Sequence, residues 1–298
     1  MDYKKIIKNK DLRIKILHYL KWVPDTWVLN LQYMIKMKRR LNLKKPRRFT
    51  EKIQWYKVNY RNPLLTVCAD KYMVREYVKM KGLAHKLTDL YFVTDDPTKL
   101  KIEDLPNNFI IKTTNGSGTN IICKDKFSID INNIQNKLNN WLNRDIFAIA
   151  REWSYKDIKP KVVVEEYLED TENSFEGIND YKFFCFNGKP CYVVFDIDRH
   201  SGHKRNIYDI DWNYIDVNTD RNNFGDIVPK PEGYEEMVNI AKILSEDFPF
   251  VRVDLYYVNK KVYFGELTFY PWSGYVQFNP DKFDLILGEK LSLPTKNS

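Results

Sequence analysis

The chain has 298 residues, 43% of them hydrophobic and 30% charged, with a formal net charge of +8. That composition argues against wholesale disorder and supplies enough apolar material for one large domain or two smaller ones. The charge is uneven: residues 1–60 carry 17 Lys+Arg against 4 Asp+Glu, a net of +13, whereas residues 61–298 carry 31 against 36, a net of −5. The body is therefore mildly acidic, which argues against a nucleic-acid binder, and the basic character belongs to an N-terminal arm.

The first 20 residues, MDYKKIIKNKDLRIKILHYL, interrupt every apolar stretch with Lys or Arg. No signal-peptide core and no membrane span is expected. Four cysteines without a C-x-x-C pair read as reduced thiols, and the chain as cytoplasmic.

In chain order, residues 2–22 are expected to form one helix. A second would open at Asp25 or Thr26, carry Trp27, Leu31, Met34, Ile35 and Leu41, and run through KMKRR toward LKKPRR. Residues 1–45 thus form a basic amphipathic arm. It suits an anionic membrane surface at the inner face of the membrane, and equally an arm docked on its own core with a wet basic face.

Residues 46–105 read as helix-rich. A helix over 50–61 has Thr50 as its cap candidate, another starts at Asp70 and stops at Gly82, and LTDLYFVTDD is strand-like. From Pro106 the period changes. NFIIKTTNGSGTNIICKD reads as strand, glycine turn, strand, and a polar helix runs from Ser128 to Leu142. PKVVVEEYLED is an apolar strand ending in acids. DYKFFCFNGKPCYVVFDIDR is a hairpin turning at Asn187-Gly188, GYEEMVNIAKILSEDF an amphipathic helix, and FVRVDLYYVNKKVYFGELTFYPWSGY a hairpin turning at Asn259-Lys260. The fold class is α+β with several antiparallel hairpins.

Three segments could carry chemistry. In Lys112-Thr-Thr-Asn115-Gly116-Ser117-Gly118, a Lys ends a strand and a small flexible loop follows. Backbone N–H groups there can converge on phosphate oxygens, although a plain β-turn uses the same residues. The run Val162-Val-Val-Glu165-Glu166-Tyr167-Leu168, with Glu172 beyond, offers a strand edge that an adenine can pair with and an acid for ribose. It also reads as a strand end entering a solvated acidic loop. Arg252 and Asp254 lie two apart and share a face, as do Glu266 and Thr268 on the hairpin partner. If the two strands pair in the right register, two carboxylates meet beside an Arg. That suits Mg²⁺, or simply a cross-strand ion pair. Lys182 could point onto the same surface.

The order of these elements, with FTEKIQWYK (49–57), ADKYMVREYV (69–78), INDYKFFCFNGKP (178–190) and VYFGELTFYPWSGY (262–275), resembles the TupA-like branch of the ATP-grasp superfamily. That branch is found in bacterial surface-polysaccharide gene clusters. The resemblance covers about residues 46–280. It implies an ATP-grasp fold, with one subdomain over 106–168 holding the glycine loop and another over 169–298 holding the metal site. By resemblance, Lys112 holds ATP phosphates under a flap of Asn115, Gly116, Ser117 and Gly118. Glu165 accepts from the adenine amino group, the backbone near Tyr167 and Leu168 pairs with the ring, and Glu172 binds ribose. Asp254 and Glu266 hold Mg²⁺, with Thr268 standing where many members have a ligating Asn. Arg252 faces the transferred phosphoryl group, and Lys182 is a further phosphate contact.

The implied reaction is ATP-dependent ligation of a carboxylic acid to an amine through an acylphosphate, decorating a surface glycan such as a capsule, O-antigen or teichuronopeptide-like polymer. Arg199, Lys204 and Arg205 are candidates for holding an anionic sugar, in a loop that also reads as merely solvated. His200 and His203 read as loop histidines. Two other readings share parts of this pattern. One is a glycosyltransferase using Asp196-Ile-Asp198 or Asp209-Ile-Asp211 as a metal-binding pair. The other is an ATP-dependent glycan phosphotransferase.

Overall fold

The computed structural model describes Leu17 and residues 19–171, 178–197, 204–225 and 227–294. Most of the first expected helix lies outside these residues, and its end is a 3₁₀ turn over Leu20–Trp22. Helix α1 covers Asp25–Met37. It stops earlier than the sequence pattern suggests, because Lys38 turns left-handed at φ 57°. Asp25 is its first residue rather than its cap.

Helix α2 covers Phe49–Asn59. Its N-terminus is closed by Glu51, whose carboxylate accepts from the backbone N–H of Arg47 and Arg48 at 2.9 and 3.1 Å. Thr50, the expected cap, instead points inward. Its N–H and hydroxyl donate to the buried Asp284 carboxylate at 2.9 and 2.7 Å. Helix α3 (Leu64–Ala69) leads to Asp70, whose Oδ1 accepts from the N–H groups of Tyr72 and Met73 at 2.7 and 3.0 Å. Helix α4 (Val74–Met80) follows; it starts later than expected, after a turn over 71–73, and the chain turns away at Gly82 (φ 75°), the expected stop.

A four-stranded antiparallel sheet contains β1 (Leu90–Thr94), β2 (Phe109–Thr113), β3 (Asn120–Cys123) and β4 (Val162–Glu165) in the order β1-β4-β2-β3. Helix α5 (Ile131–Leu142) packs on it through Ile134 and Leu138. Asp130 rather than Ser128 opens α5, accepting from the N–H groups of Asn132 and Asn133. The short helix α6 (Ile146–Ala150) follows.

A six-stranded antiparallel sheet holds β5 (Asp180–Phe186), β6 (Lys189–Ile197), β7 (Lys204–Asp209), β8 (Tyr214–Ile215), β9 (Phe250–Val258) and β10 (Lys261–Thr268), in the order β10-β9-β5-β6-β7-β8. Both expected hairpin turns form. Asn187-Gly188 and Asn259-Lys260 have positive φ at both residues, as a two-residue turn that follows strand twist requires. Strand period then divides the two faces. Phe184, Phe186 and Phe250 pack around Phe49 of α2, with ring centroids 5.0–6.1 Å away. Phe183 and Cys185 meet helix α7 (Tyr234–Ser245) on the other side. Helix α8 (Lys282–Lys290) lies against α2 through Asp284.

Helix α2 also secures the segment after β10. Trp272, Ser273 and Gly274 are three consecutive left-handed residues, at φ 50°, 56° and 68°. Lys57 donates to the Ser273 carbonyl and hydroxyl at 2.9 and 2.8 Å and to the Ala150 carbonyl at 3.0 Å. Gln54 donates to the carbonyls of Ser273 and Gly274, both at 3.0 Å. Two non-glycine residues in this region cost about 1–3 kcal/mol each, so the turn depends on these bonds. Burial lowers the Lys57 ammonium to about 7, against the pull of Glu152. In the unfolded chain the same lysine holds its proton up to about 10.5. Between those values the unfolded state binds the extra proton, so stability through this group rises with pH. The unfolding free energy of the wild type relative to Lys57→Met is expected to increase from pH 7 to pH 9 in denaturant titrations. A flat difference would contradict the assignment.

Candidate active site

On the α2-facing side of the large sheet, beyond the phenylalanines, the register lines up charged residues strand by strand. Glu266 pairs with Asp254, Asp254 with Lys182, Asp180 with Asp196, and Asp196 with Arg205. A β-bulge makes this possible. From the turn to Phe264 the hairpin would continue by setting Asp254 opposite Gly265, which would send Glu266 to the other face. The register shifts between Phe264 and Glu266, and Glu266 lands opposite Asp254, Thr268 opposite Arg252. Glycine is needed at 265 because a Cβ there would sit 2.9 Å from the Asp254 carbonyl and 3.1 Å from the Tyr256 ring.

The side chains form a ladder of cations and carboxylates. Arg252 grips Asp254 at both ends, Nε to Oδ1 at 2.7 Å and Nη2 to Oδ2 at 2.6 Å. The same Nη2 donates to Glu266 Oε1 at 3.1 Å and to the Thr268 hydroxyl at 3.0 Å. Lys182 is paired with Asp180, lies 3.3 Å from Asp196 and 4.0 Å from Asp254. Arg205 grips Asp196 at 2.6 and 3.2 Å and reaches Asp220 at 2.6 Å. Burial pushes the Asp254 carboxyl up to about 7, although Arg252 and Lys182 pull the other way. Burial would also raise Glu266, but Arg252, Lys71 and Lys182 together hold it below its ordinary value. Glu266 is the accessible member, its side chain 38% exposed where that of Asp254 is buried.

Glu266 opens into a cleft of about 490 Å³ between the two sheets. Lys71, Lys112, Glu165, Tyr167 and Leu168 line its other parts. Lys112 donates to Glu165 Oε2 at 2.7 Å, and Arg75 to Oε1 at 3.1 Å. The Glu165 carboxylate therefore balances two cations here rather than standing open for an adenine amino group. The glycine loop is pinned from below: the Asn115 amide donates to the carbonyls of Trp141, Leu142 and Arg144 at 3.2–3.3 Å. Its side chain thus ties down the end of α5, while Ser117 and Gly118 are exposed above.

The comparisons bear on what this cleft holds. The profile of the TupA-like ATP-grasp family matches residues 51–292. The chain belongs to the TupA-like ATP-grasp family. Among solved structures it is similar to D-alanine–D-alanine ligase from Bacillus anthracis, at 18% identity and a TM-score of 0.41, covering 69% of this chain and 58% of that one. It is also similar to the Helicobacter pylori D-alanine–D-alanine ligase, at 19% and 0.41, covering 82% and 68%. A third is the phosphoribosylamine–glycine ligase of Thermotoga maritima, at 16% and 0.38, covering 68% and 48%. The chain thus spans little more than half the length of the first of these. No curated protein matches it.

An ATP-grasp enzyme implies nucleotide and a divalent cation, and the donor set here fits the cation. The oxygens of Asp254, Glu266 and Thr268 already converge on one cationic nitrogen, Arg252 Nη2. Along the ladder three cations face four carboxyl groups, with Lys71 also acting on Glu266 and Asp220 on Arg205. Among the described residues no cluster of three or more His, Cys, Asp or Glu side chains is arranged for a metal. Magnesium needs only one or two carboxylates when phosphate oxygens complete its shell.

Other sequence-predicted residues fall elsewhere. Glu172 and Arg199, with His200 and His203, lie outside the described residues. Arg205 is not a loop residue. It is buried on β7 and bonded into the ladder, so it cannot double as a sugar contact without breaking that pair. Lys204, next to it, is exposed over the Phe224 ring at 5.4 Å. Lys182 shares the ladder face as expected, but it is buried among aspartates rather than free for phosphate.

Two cleft residues escaped the sequence reading. Lys71 donates to the Gly116 carbonyl beneath the glycine loop, and burial lowers its ammonium below the usual range. Arg75, one turn on, is the second cation on Glu165. Their only sequence signal is the motif ADKYMVREYV, more than 30 residues before the glycine loop that Lys71 meets and the Glu165 that Arg75 meets.

The bulge gives a direct test. Gly265→Val should force the hairpin to yield around 265, cost about 1–3 kcal/mol of stability, and lower magnesium–nucleotide affinity at least about tenfold by displacing Glu266. Circular dichroism would check the fold and calorimetry the binding. Unchanged affinity would show that the bulge does not set the site.

Proposed function

We propose that the chain is an ATP-dependent ligase that activates a carboxylate as an acylphosphate and passes the acyl group to an amine. In this reading the product is an amide of bacterial surface-polysaccharide biosynthesis, made on the cytoplasmic side. One observation carries the reading. Glu266 on the large sheet, bonded to Arg252 of the buried Arg252–Asp254 pair, lines the same cleft as Lys112 and Lys71.

The chemistry asks for these groups. A carboxylate is a poor electrophile, and phosphorylation gives it a good leaving group. The phosphoryl oxygens gather negative charge during transfer, and in this reading Lys112 and Arg252 offset it. Bound magnesium would supply Lewis-acid stabilisation of the phosphate oxygens, held by Glu266, Asp254 and the Thr268 hydroxyl. Residues Asn115 to Gly118 form the flap, and the backbone near Tyr167 and Leu168 receives the base. Covering the phosphates keeps water out, so the amine rather than water takes the acyl group.

Of the four acids of the glycosyltransferase alternative, Asp198 lies outside the described residues and two others are engaged locally. Asp196 is spent on Arg205 and Lys182. Asp209 closes a turn, accepting from the N–H groups of Asp211 and Asn213 at 3.0 and 2.8 Å.

The test is a nucleotide-turnover screen of uronates and amino acids paired with amines, read by mass spectrometry. ADP and phosphate should appear only when both substrates are present, together with an amide product. Lys112→Ala and Glu266→Gln should each lower turnover by about 100-fold or more, equivalent to at least 2.7 kcal/mol of transition-state stabilisation. A phosphorylated glycan without amide would make the chain a phosphotransferase. Stabilisation on heating by a UDP- or GDP-sugar but not by ATP would overturn the assignment.

A further inference from the structure

Helix α1 has two apolar stripes. Leu29, Tyr33 and Met37 lie on the inner side and are buried with Leu41. Trp27, Leu31, Met34 and Ile35 follow the i, i+4, i+7, i+8 spacing of a second stripe on the opposite side of the helix. All four are exposed, Trp27 by 74% and Leu31 by 55%, and Trp22 just before the helix is exposed by 84%. A soluble helix normally turns polar residues outward, and a grouped apolar face of this kind marks a contact surface.

The helix is held firmly enough to display that face. Tyr33 shares a 2.8 Å hydrogen bond with Thr50, Gln32 accepts from the Tyr275 hydroxyl at 2.6 Å, and Gln32 donates to the Ile149 carbonyl at 3.2 Å. Ion pairs Lys21–Asp145 and Arg39–Asp281, both at 2.7 Å, anchor the approach to the helix and the segment after it. The two readings of the arm from sequence are therefore not exclusive, since one side docks on the core and the other is left in solvent.

Charge identifies the occupant. Exposed Lys38, Arg40, Lys44, Lys45 and Arg47 crowd the ten residues that follow the stripe, within a segment whose net charge is +13. Tryptophans beside an aliphatic stripe, flanked by lysines and arginines, have the chemistry of a helix lying in the headgroup region of an anionic bilayer. We propose that the outer face of α1, with Trp22 and the basic segment 38–47, is a peripheral docking surface for anionic lipid. This proposal is independent of the ligase assignment.

Full-length protein would be sedimented with vesicles of phosphatidylcholine alone and with phosphatidylglycerol added. Binding is expected to the anionic vesicles only, to weaken with added salt, and to fall about tenfold or more in Trp27→Glu/Leu31→Glu. Trp fluorescence should shift to the blue on binding in the wild type. A circular dichroism spectrum and a melting temperature unchanged in the variant would confirm that the fold is intact. Absence of binding, equal binding to neutral vesicles, or a variant that binds like the wild type would overturn the proposal. So would self-association in sedimentation velocity that the same variant abolishes, which would make the face a contact between two copies.

Discussion

A row of charges buried on one face of a β-sheet is the constraint around which this molecule is built. Taking an ion out of water costs several kcal/mol even after relaxation, so a buried charge persists only when its neighbours answer it. Here the answers come across strands: along four strand pairings Arg252 answers Glu266 and Asp254, Lys182 answers Asp180 and Asp196, and Arg205 answers Asp196. Removing any interior member leaves an uncompensated partner. The ladder thus fixes strand register as firmly as the hydrophobic pattern does. It also leaves its one accessible carboxylate, Glu266, at the edge of the cleft.

The packing around the ladder follows from it. Polar side chains on the α2-facing side can be buried only where they meet one another, and the rest of that face is given to Phe184, Phe186 and Phe250 under Phe49. Helix α2 covers that aromatic part, and through Lys57 and Gln54 it also holds the left-handed turn at 272–274. That turn begins four residues after Thr268, so strain, buried lysine and ladder lie close along one strand exit. Concentrating strain beside a site is consistent with a geometry imposed by function.

Much of this was legible in the sequence, because hairpins carry strong local signals. Asn187-Gly188 and Asn259-Lys260 mark the turns, and alternation places Arg252 with Asp254 and Glu266 with Thr268. What alternation could not show is that the two pairs share one face. Counting back from the Asn259-Lys260 turn puts Glu266 on the wrong side, and only the bulge at Gly265 corrects it. Lys71 and Arg75 were missed for another reason. They sit on a turn and a helix far in sequence from their partners, and only tertiary packing brings Lys71 to the glycine loop and Arg75 to Glu165. Helix ends were misjudged where a residue chose a tertiary partner over a local one, as Thr50 did with Asp284. Arg205 looked like a loop cation because its sequence neighbours are polar, whereas cross-strand pairing with Asp196 buries it.

In the proposed reaction the ladder's exposed end and the cleft lysines together receive a magnesium–nucleotide. A crystal structure with a non-hydrolysable ATP analogue and magnesium tests it most directly. The metal is expected on Glu266 with Asp254 or Thr268, the phosphates between Lys112 and Arg252, and the base beside Tyr167 and Leu168. A nucleotide bound away from this cleft, or a metal held without Glu266, would contradict it.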